Sequence, residues 1–458
     1  MKSDTIAAIA TGLSNAGISI IRISGDRAIE LADKIFEARR QGVTLASAKS
    51  HTIHYGYIKN HEEVIDEVLV SVMKAPNSYT KEDVVEINCH GGIVVTKKIM
   101  DLVIAAGIRP ADPGEFTKRA FLNGRIDLSQ AEAVIDIIHA KNELALKNSV
   151  RQLKGNVQER IVEIRKQILL DTAFIEAALD DPEHISLEGF SDTLEKNTQQ
   201  QIEQIEKLLK TTENGRMLKE GIKTVILGKP NAGKSSLMNL LLGEERAIVT
   251  EIAGTTRDTL EESILLNGIT LNIIDTAGIR NTEDIVEKIG VSKAREIARD
   301  ADLIIYVVDS SVPLDENDIE ILQLIQNRKA IILLNKSDLE PVIEEAEITA
   351  YTDQKILKIS AKERIGLEQL EAEIIDMFFA GDLRMNDEIY ITNLRHKAAL
   401  ENAKVSLNQV LGSIYAGMPE DFYSIDLMNA YGELGSIIGE AVDEDLINTI
   451  FKEFCMGK

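Results

Sequence analysis

The stretch at residues 224–237, T-V-I-L-G-K-P-N-A-G-K-S-S-L, limits the possible folds of this chain more than any other. An apolar run leads into a glycine-bounded loop and then into helix-forming residues, which is the pattern G-x-x-x-x-G-K-S in a strand–loop–helix setting. The glycines let backbone N–H groups surround a polyphosphate at a helix N-terminus, where the helix dipole favours negative charge. Lys234 is expected to reach the terminal phosphates, and the Ser235 hydroxyl to bind Mg²⁺. The loop residues predicted to contact a nucleotide are Asn231, Ala232, Gly233, Lys234, Ser235 and Ser236.

The charge balance of the chain excludes one class of function. Among 458 residues, 75 are acidic and 51 basic, giving a net charge of −24, so the chain does not bind nucleic acid or membranes through its bulk charge. The two cysteines, Cys89 and Cys455, are too few for a disulfide framework and fit a reducing compartment. No run reaches the roughly 18 to 20 apolar residues of a membrane span, and we expect a cytoplasmic protein. Arg109, Lys118, Arg119 and Arg125 are candidates for a local basic patch, with a surface facing a partner protein as the alternative.

Hydrophobic periodicity predicts three domains. Residues 1–118 carry short apolar runs typical of strands and one helical pattern, which indicates a compact α+β domain. Residues 119–220 and 379–458 both show helical periodicity and are expected to form one helical bundle domain. Residues 221–378 alternate strands with helices, which predicts an inserted, doubly wound, mostly parallel sheet with ligands at the carboxyl ends of its strands.

Individual elements follow from the same patterns. Strands are predicted at residues 18–23, 51–58, 68–72 and 84–87, and helices at 94–106, 156–179, 191–218, 398–411 and 425–438. Ser129 and Glu132 have capping-box spacing at the start of a further helix. Asn267-Gly268 predicts a hairpin turn inside the inserted domain.

The base specificity of the nucleotide site is predicted by N-K-S-D at residues 335–338, after an apolar strand, and by S-A-K at 360–362 after the next one. A fixed carboxylate at Asp338 accepts protons from both N1 and N2 of guanine, whereas adenine leaves it unpaired; such a site rejects analogues by roughly 10⁴-fold. Asn335 is expected to hold the loops together, and the Ala361 N–H to meet O6. The residues predicted around the base are Asn335, Lys336, Asp338, Ser360, Ala361 and Lys362.

A second phosphate-side motif is D-T-A-G at residues Asp275, Thr276, Ala277 and Gly278. Its carboxylate is expected to hold Mg²⁺ through water, and its glycine to move toward a γ-phosphate. Thr256, in the preceding A-G-T-T-R-D, is assigned as a metal ligand.

One absence in this motif is informative. Many GTPases orient the attacking water with a Gln directly after D-x-x-G, but the residue here is Ile279, which can neither donate nor accept a hydrogen bond. Two alternatives stay open: nearby carboxylates, or a monovalent cation held by Asn231 that stabilises the transition-state charge. The carboxylates concerned are Glu283, Asp284 and Glu287.

Taken together, these motifs resemble the MnmE (also called TrmE) family of tRNA modification GTPases over essentially the whole chain. G-K-P-N-A-G-K-S-S, A-G-T-T-R-D, D-T-A-G-I-R and N-K-S-D are shared with related GTPases such as Era and Der. The discriminating stretches are I-R-I-S-G, S-Y-T-x-E-D-V-V-E, P-G-E-F-T-x-R-A-F-L-N-G and the final C-M-G-K.

The resemblance implies a Ras-like G domain and a potassium-stimulated GTPase. With a flavoprotein partner, MnmG, it would add an aminomethyl or carboxymethylaminomethyl group to C5 of the wobble uridine of certain tRNAs. The N-terminal domain would bind a 5-formyl-tetrahydrofolate-type one-carbon donor and mediate homodimerisation.

The resemblance also assigns residues. It places Mg²⁺ at Ser235 and Thr256, K⁺ at Asn231, Thr250, Ile252 and Thr255, and folate at Arg22, Glu86, Arg125 and Lys458. Glu287 would orient the attacking water, acting with Asn231 and Lys234 in catalysis. Cys455 matches the terminal cysteine of the family and is a candidate reactive thiol.

Two other functions remain as alternatives. A nucleotide-switched assembly factor would bind RNA or ribosomes without changing the RNA chemically, but that class usually carries a basic RNA-binding domain, and the flanks here are acidic. A folate-dependent one-carbon transferase with a regulatory G domain is the weaker alternative.

Overall fold

The computed structural model describes residues 4–243, 262–266, 268–274, 298–379, 390–440, 442, 444–452, 454 and 457. The chain forms two compact units. The first consists of Met1–Ile138, Gln152–Gln201 and Asn402–Lys458, and the second of His139–Arg151 and Ile202–Glu401.

The N-terminal part of the first unit is a seven-stranded sheet with helices on one face. Its elements are β1 (Ile6–Ile9), β2 (Ala16–Ser24), α1 (Ala28–Asp33), β3 (Phe36–Ala38), β4 (Thr52–Asn60), β5 (Glu63–Met73), β6 (Val84–Gly91), α2 (Ile93–Ala105), β7 (Arg109–Pro110) and α3 (Glu115–Leu122). The strand order is β3-β4-β5-β6-β2-β1-β7. The four strands and the helix predicted here are confirmed, with ends shifted by a few residues.

Alternation along β2 decides which side chains reach the core. Ile21 and Ile23 are buried in the apolar cluster that α1 and α2 cover. Arg22, between them, projects to the opposite face and pairs in register with Glu86 on the antiparallel strand β6. Period-two alternation therefore puts a cation and a carboxylate side by side outside the core.

Five helices follow along the chain: α4 (Leu128–His139), α5 (Glu143–Leu153), α6 (Asn156–Asp180), α7 (Phe190–Lys210) and α8 (Thr212–Glu220). The predicted capping box at Ser129 and Glu132 is wrong. Asp127 caps α4 instead, since its carboxylate accepts the Gln130 N–H at 2.9 Å and the Gln130 side chain accepts the Asp127 N–H at 2.9 Å. Ser129 and Glu132 are buried within the helix, where no capping position exists. The predicted helix at 191–218 is broken at Thr211.

The second unit contains the predicted doubly wound sheet. Its elements are β8 (Ile222–Gly228), α9 (Lys234–Leu241), β9 (Glu262–Leu266), β10 (Ile269–Ile273), β11 (Leu303–Asp309), α10 (Glu316–Ile325), β12 (Ala330–Asn335), α11 (Glu345–Thr349), β13 (Lys355–Lys358) and α12 (Leu367–Phe379). The order is β13-β12-β11-β8-β10-β9, with β9 antiparallel and the other pairings parallel. The predicted sheet is confirmed. The three central strands, β8, β11 and β12, consist almost entirely of buried apolar residues, as expected for parallel strands covered on both faces.

The chain ends in helices α13 (Leu394–Tyr415), α14 (Asp421–Ile438) and α15 (Glu444–Lys452). Within the first unit, α14 lies directly on α6. The guanidinium carbon of Arg165 is 3.9 Å from the Tyr431 ring centroid, and its Nη2 is 2.6 Å from Glu440. Gly435 permits this close approach, because a Cβ there would lie 3.0 Å from the same guanidinium. Helices remote in sequence thus pack against each other within the first unit.

None of the described helices is long and apolar enough to cross a membrane.

Candidate functional sites

The phosphate-loop candidate connects β8 to α9 through backbone angles that suit small residues. Gly228, Asn231 and Gly233 have φ of +153°, +63° and +99°. A Cβ on Gly228 would lie 2.4 Å from the Val307 carbonyl oxygen. The loop therefore requires glycine at this position both for conformation and for space.

The Lys234 ammonium lies inside this loop. Its Nζ donates to the carbonyl oxygens of Gly228 and Lys229 at 2.8 and 2.7 Å. Burial lowers the pKa of Lys234 from its ordinary value. Because two carbonyls are weak partners for a partly buried cation, the oxygens of a phosphate chain would be stronger acceptors at this position.

The Asn335 side chain connects three loops. Its Nδ2 donates to the Ala232 carbonyl at 2.8 Å, and its Oδ1 accepts the Ala361 N–H at 3.0 Å. Asn335 is 2% exposed. The phosphate loop and the two base-side loops are therefore held in one fixed arrangement.

Asp338 is exposed at the end of that arrangement. Ser360 Oγ donates to Asp338 Oδ1 at 2.6 Å, and this hydrogen bond lowers the pKa of the carboxyl. The carboxylate form is thus favoured, as recognition of two N–H donors on a base requires.

Asp309 is a functional candidate that the sequence analysis missed. It pairs in register with Asn335 on the neighbouring parallel strand, and its carboxylate accepts a hydrogen bond from the Lys336 ammonium at 2.5 Å. Although burial opposes ionisation, the hydrogen bond from Lys336 contributes to a pKa of Asp309 below its usual range. The signal was available, since Asp309 is the charged residue that ends a buried strand of the same sheet.

The structure brings together every described member of the predicted nucleotide site at the carboxyl ends of β8, β12 and β13. Lys362 lies at the rim, 79% exposed in its side chain. The predicted residues outside the described part of the chain are Thr250, Ile252, Thr255, Thr256, Asp275, Thr276, Ala277, Gly278, Ile279, Glu283, Asp284, Glu287, Cys455 and Lys458.

A second candidate site lies on the N-terminal sheet. Arg22 Nε donates to Glu86 Oε1 at 2.8 Å and Arg22 Nη1 to the Gly457 carbonyl at 3.2 Å. The guanidinium carbons of Arg22 and Arg125 are 5.6 and 4.6 Å from the ring centroid of Tyr79. Two of the three described residues predicted to bind folate, Arg22 and Arg125, therefore lie against one aromatic ring, and the third, Glu86, is paired with Arg22.

This cluster has a definite binding chemistry. Its carboxylate can accept N–H groups of a planar heterocycle, its ring can stack, and its guanidiniums can pair with an acidic tail. Gly457 brings the end of the chain to this cluster, with a Cβ there lying 2.6 Å from the Ile9 carbonyl oxygen. Tyr79 belongs to the motif S-Y-T-x-E-D-V-V-E, but its position between the two arginines was not predicted.

The predicted basic patch is not formed as an open cationic surface. Arg119 is 8% exposed and makes ion pairs with Asp4, Glu82 and Glu115. Arg109 is 2.7 Å from both Asp4 and Glu115. The prediction is wrong for these two arginines, because neighbouring carboxylates neutralise them.

The comparisons with family models and with curated proteins agree with each other. A family model described as "MnmE helical domain" matches residues 128–455, and one described as "GTP-binding protein TrmE N-terminus" matches residues 5–125. A tRNA modification GTPase MnmE of Lachnoclostridium phytofermentans is 67% identical over 458 residues, which is 100% of both chains. One of Clostridioides difficile is 49% identical over 460 residues, covering 99% of each. Among solved structures, the G domain of the T. maritima FeoB iron transporter aligns with 34% of this chain and 98% of its own at 28% identity, with a TM-score of 0.26.

Proposed function

The chain belongs to the MnmE family of tRNA modification GTPases, and from this premise we propose that its GTP hydrolysis drives modification at C5 of the wobble uridine of certain tRNAs. The added group is of the aminomethyl or carboxymethylaminomethyl type. The observation that carries the GTP part of the proposal is the position of Asn335, whose amide joins the phosphate loop at Ala232 to the base-side loop at Ala361.

In this proposal different described residues contact the phosphates and the base of the nucleotide. Lys234 exchanges its two carbonyl partners for the terminal phosphates, and the N–H groups at the start of α9 face the same oxygens. Asp338 accepts the guanine N–H groups, while Lys336, held by Asp309, lies along the base. Ser360 keeps the Asp338 carboxylate in place.

We propose Mg²⁺ and K⁺ as the metal ions. Ser235 lies in the first turn of α9, which supports its proposed role as a Mg²⁺ ligand, and Thr256 would complete that pair. The exposed Asn231, in a left-handed conformation within the loop, fits a K⁺ ligand, together with Thr250, Ile252 and Thr255. K⁺ supplies positive charge for the developing negative charge of the transition state.

Glu287 is proposed to orient the attacking water, because Ile279 occupies the position where many GTPases have a glutamine. A carboxylate can accept a proton from water, which an aliphatic side chain cannot.

We further propose that the Tyr79 cluster binds a 5-formyl-tetrahydrofolate or related folate. Glu86 would accept N–H groups of the pterin, and Arg22 and Arg125 would pair with acidic groups, with Lys458 nearby in sequence to Gly457. Cys455 is proposed as a reactive thiol. The proposed partners are a second copy of the chain and the FAD-containing protein MnmG.

The test is mass spectrometry of tRNA nucleosides from a strain that lacks this chain, complemented with wild type or with Glu287→Ala. Wild type is expected to restore the C5-modified wobble uridines, and the variant is expected to leave them unmodified although it still binds GTP. Normal wobble uridines in the uncomplemented strain would contradict the proposal and favour an assembly GTPase without RNA chemistry.

The cation assignment has its own test. GTP turnover is measured in K⁺ and in Na⁺ at matched ionic strength and saturating Mg²⁺. Turnover is expected to be faster in K⁺, and Asn231→Ala is expected to remove the difference. Equal turnover of the wild type in both salts would contradict it.

A further inference from the structure

Lys229, the second residue of the phosphate loop, points away from the loop toward acidic residues. Its Nζ lies 2.7 Å from Asp315 Oδ2 and is in ion-pair contact with Asp318. The Lys229 side chain is 27% exposed. Although burial opposes the charge, hydrogen bonds to both carboxylates raise the pKa of Lys229. The charged form of its ammonium is therefore favoured and is held by two carboxylates at the start of helix α10.

The Asp318 carboxylate that receives this ammonium is itself fixed on two other sides. Tyr306 on β11 donates its hydroxyl to Asp318 Oδ1 at 2.6 Å, and the Asp315 N–H donates to Oδ2 at 2.9 Å. Tyr306 and Asp318 are 0% and 3% exposed. A buried carboxylate with an aromatic hydroxyl, a backbone N–H and a lysine around it is a rigid anchor.

The backbone of Lys229 contacts the phosphate-binding side of the loop, away from α10. Its carbonyl oxygen accepts the Lys234 ammonium at 2.7 Å. The same residue is therefore tied through its side chain to α10 and through its carbonyl to the cation that faces the phosphates. Movement of the anchor would move one of the two acceptors that hold Lys234.

We propose that Lys229 is a positioning residue for GTP binding, which the Asp318–Tyr306 anchor holds so that the phosphate loop keeps Lys234 in place for the terminal phosphates. The inference rests on the proposed role of Lys234. Lys229 itself does not bind phosphate in this proposal, since its ammonium is paired with Asp315 and Asp318 at the start of α10.

This proposal differs from direct phosphate binding in a measurable way. If Lys229 bound phosphate, Asp318→Asn would remove one of the two carboxylates that compete for its ammonium and would strengthen GTP binding. If Lys229 acts through the anchor, Lys229→Met and Asp318→Asn break the same link. The double variant then binds GTP as tightly as the single variant that has the lower GTP affinity.

The experiment compares GTP turnover and binding of a fluorescent GDP analogue for Lys229→Met, Asp318→Asn, Tyr306→Phe and the Lys229–Asp318 double variant. The KM for GTP is expected to rise roughly tenfold in both single variants, with kcat at saturating GTP within about twofold of wild type. Tyr306→Phe, which preserves the ring in the core, is expected to show a smaller rise of about threefold. Lys229→Arg is expected to retain most of the wild-type affinity for GTP, because it keeps the positive charge.

Controls separate positioning from general damage. Lys358→Met removes a lysine paired with exposed Glu345 in the same unit and is expected to leave KM unchanged. Partial unfolding lowers kcat with the amount of active protein and leaves KM alone, so Tyr306→Phe and Lys229→Arg keep the test decisive if Asp318→Asn folds poorly. Unchanged KM in Lys229→Met, or tighter binding in Asp318→Asn, would overturn the inference. Full GTP binding by Lys234→Ala would instead refute the proposed site on which it rests.

Discussion

The carboxamide of Asn335 occupies the space that a side chain at Gly233 would need. A Cβ on Gly233 would lie 2.0 Å from Asn335 Nδ2, the atom that donates to the Ala232 carbonyl. Gly233 also has φ of +99°, a conformation that residues with a Cβ rarely adopt. The loop for the phosphates and the loop for the base therefore fit each other only with glycine at this position.

Gly233→Ala is expected to weaken GTP binding by more than about 100-fold, because either the loop conformation or the Asn335 hydrogen bonds must be lost. Isothermal titration with GDP and GTP measures the effect. Gly243→Ala is the matched control, since a Cβ there meets only an ordinary contact of 3.5 Å with the Leu240 carbonyl oxygen. If Gly233→Ala bound GTP about as tightly as wild type, the close fit of Asn335 against Gly233 would not determine nucleotide affinity.

Asp338→Asn is expected to change the base that the site accepts. An asparagine cannot accept both guanine N–H groups, so GTP affinity should fall by roughly 10⁴-fold. Xanthosine triphosphate, which has a carbonyl where guanine has its amino group, should bind the variant better than GTP does. Competition between the two nucleotides for wild type and variant gives the measurement, and an unchanged preference for GTP would remove Asp338 from base recognition.

The strand and loop motifs of the second unit could be predicted because each depends on local residues. A buried strand, a glycine loop and a polar residue at the next strand end are all visible as short patterns, and parallel strands place such ends at one edge. Asp309 could have been found by the same rule. The contact of Lys229 with Asp318 could not, since it depends on how a loop after β8 meets the start of α10.

The error at helix α4 shows another limit. Asp127 with Gln130 and Ser129 with Glu132 have the same spacing, and both fit a capping box. Only the packing of Leu128, which is fully buried, decides that the helix begins after Asp127. Likewise, Arg109 and Arg119 appear as free cations in the sequence although Glu115 is close to both, because Asp4 and Glu82, the partners that complete their neutralisation, come from distant segments.

Glu86→Gln is expected to weaken folate binding by about tenfold or more, because it removes the charged acceptor that Arg22 orients. Fluorescence or calorimetric titration of the full chain with 5-formyl-tetrahydrofolate measures this loss. Glu63→Gln, which disturbs only the exposed pair with Lys98, should bind normally, and the KM for GTP should be unchanged in both variants. Normal folate affinity of Glu86→Gln would place the folate elsewhere.

Helix α6 contains a buried carboxylate, Asp171, whose ionisation is opposed by its surroundings. Asp171 is 4% exposed and accepts hydrogen bonds from the side-chain amides of Gln167, Asn197 and Gln201 at 3.1, 2.8 and 3.3 Å. Burial, only partly opposed by these amides, raises the pKa of Asp171. Between the ordinary pKa of aspartate and the raised one, the folded chain holds a proton that the unfolded chain has released, so stability falls as pH rises through this window and the folded chain buries the charged carboxylate above it.

Asp171→Asn is accordingly expected to raise the melting temperature of the first unit by a few degrees at pH 7.5, since no charge is left to bury. The new amide can be accommodated, because Gln201 Oε1 is buried without a hydrogen-bond partner among the described residues and would accept its N–H once the Gln201 amide rotates. Scanning calorimetry at pH 7.5 and near pH 4 measures the gap between variant and wild type, which should shrink at the lower pH as Asp171 takes up its proton. Asp180→Asn, at the exposed end of the same helix, should show no such gap. A lower melting temperature of Asp171→Asn at pH 7.5 would mean that the charged carboxylate stabilises the bundle.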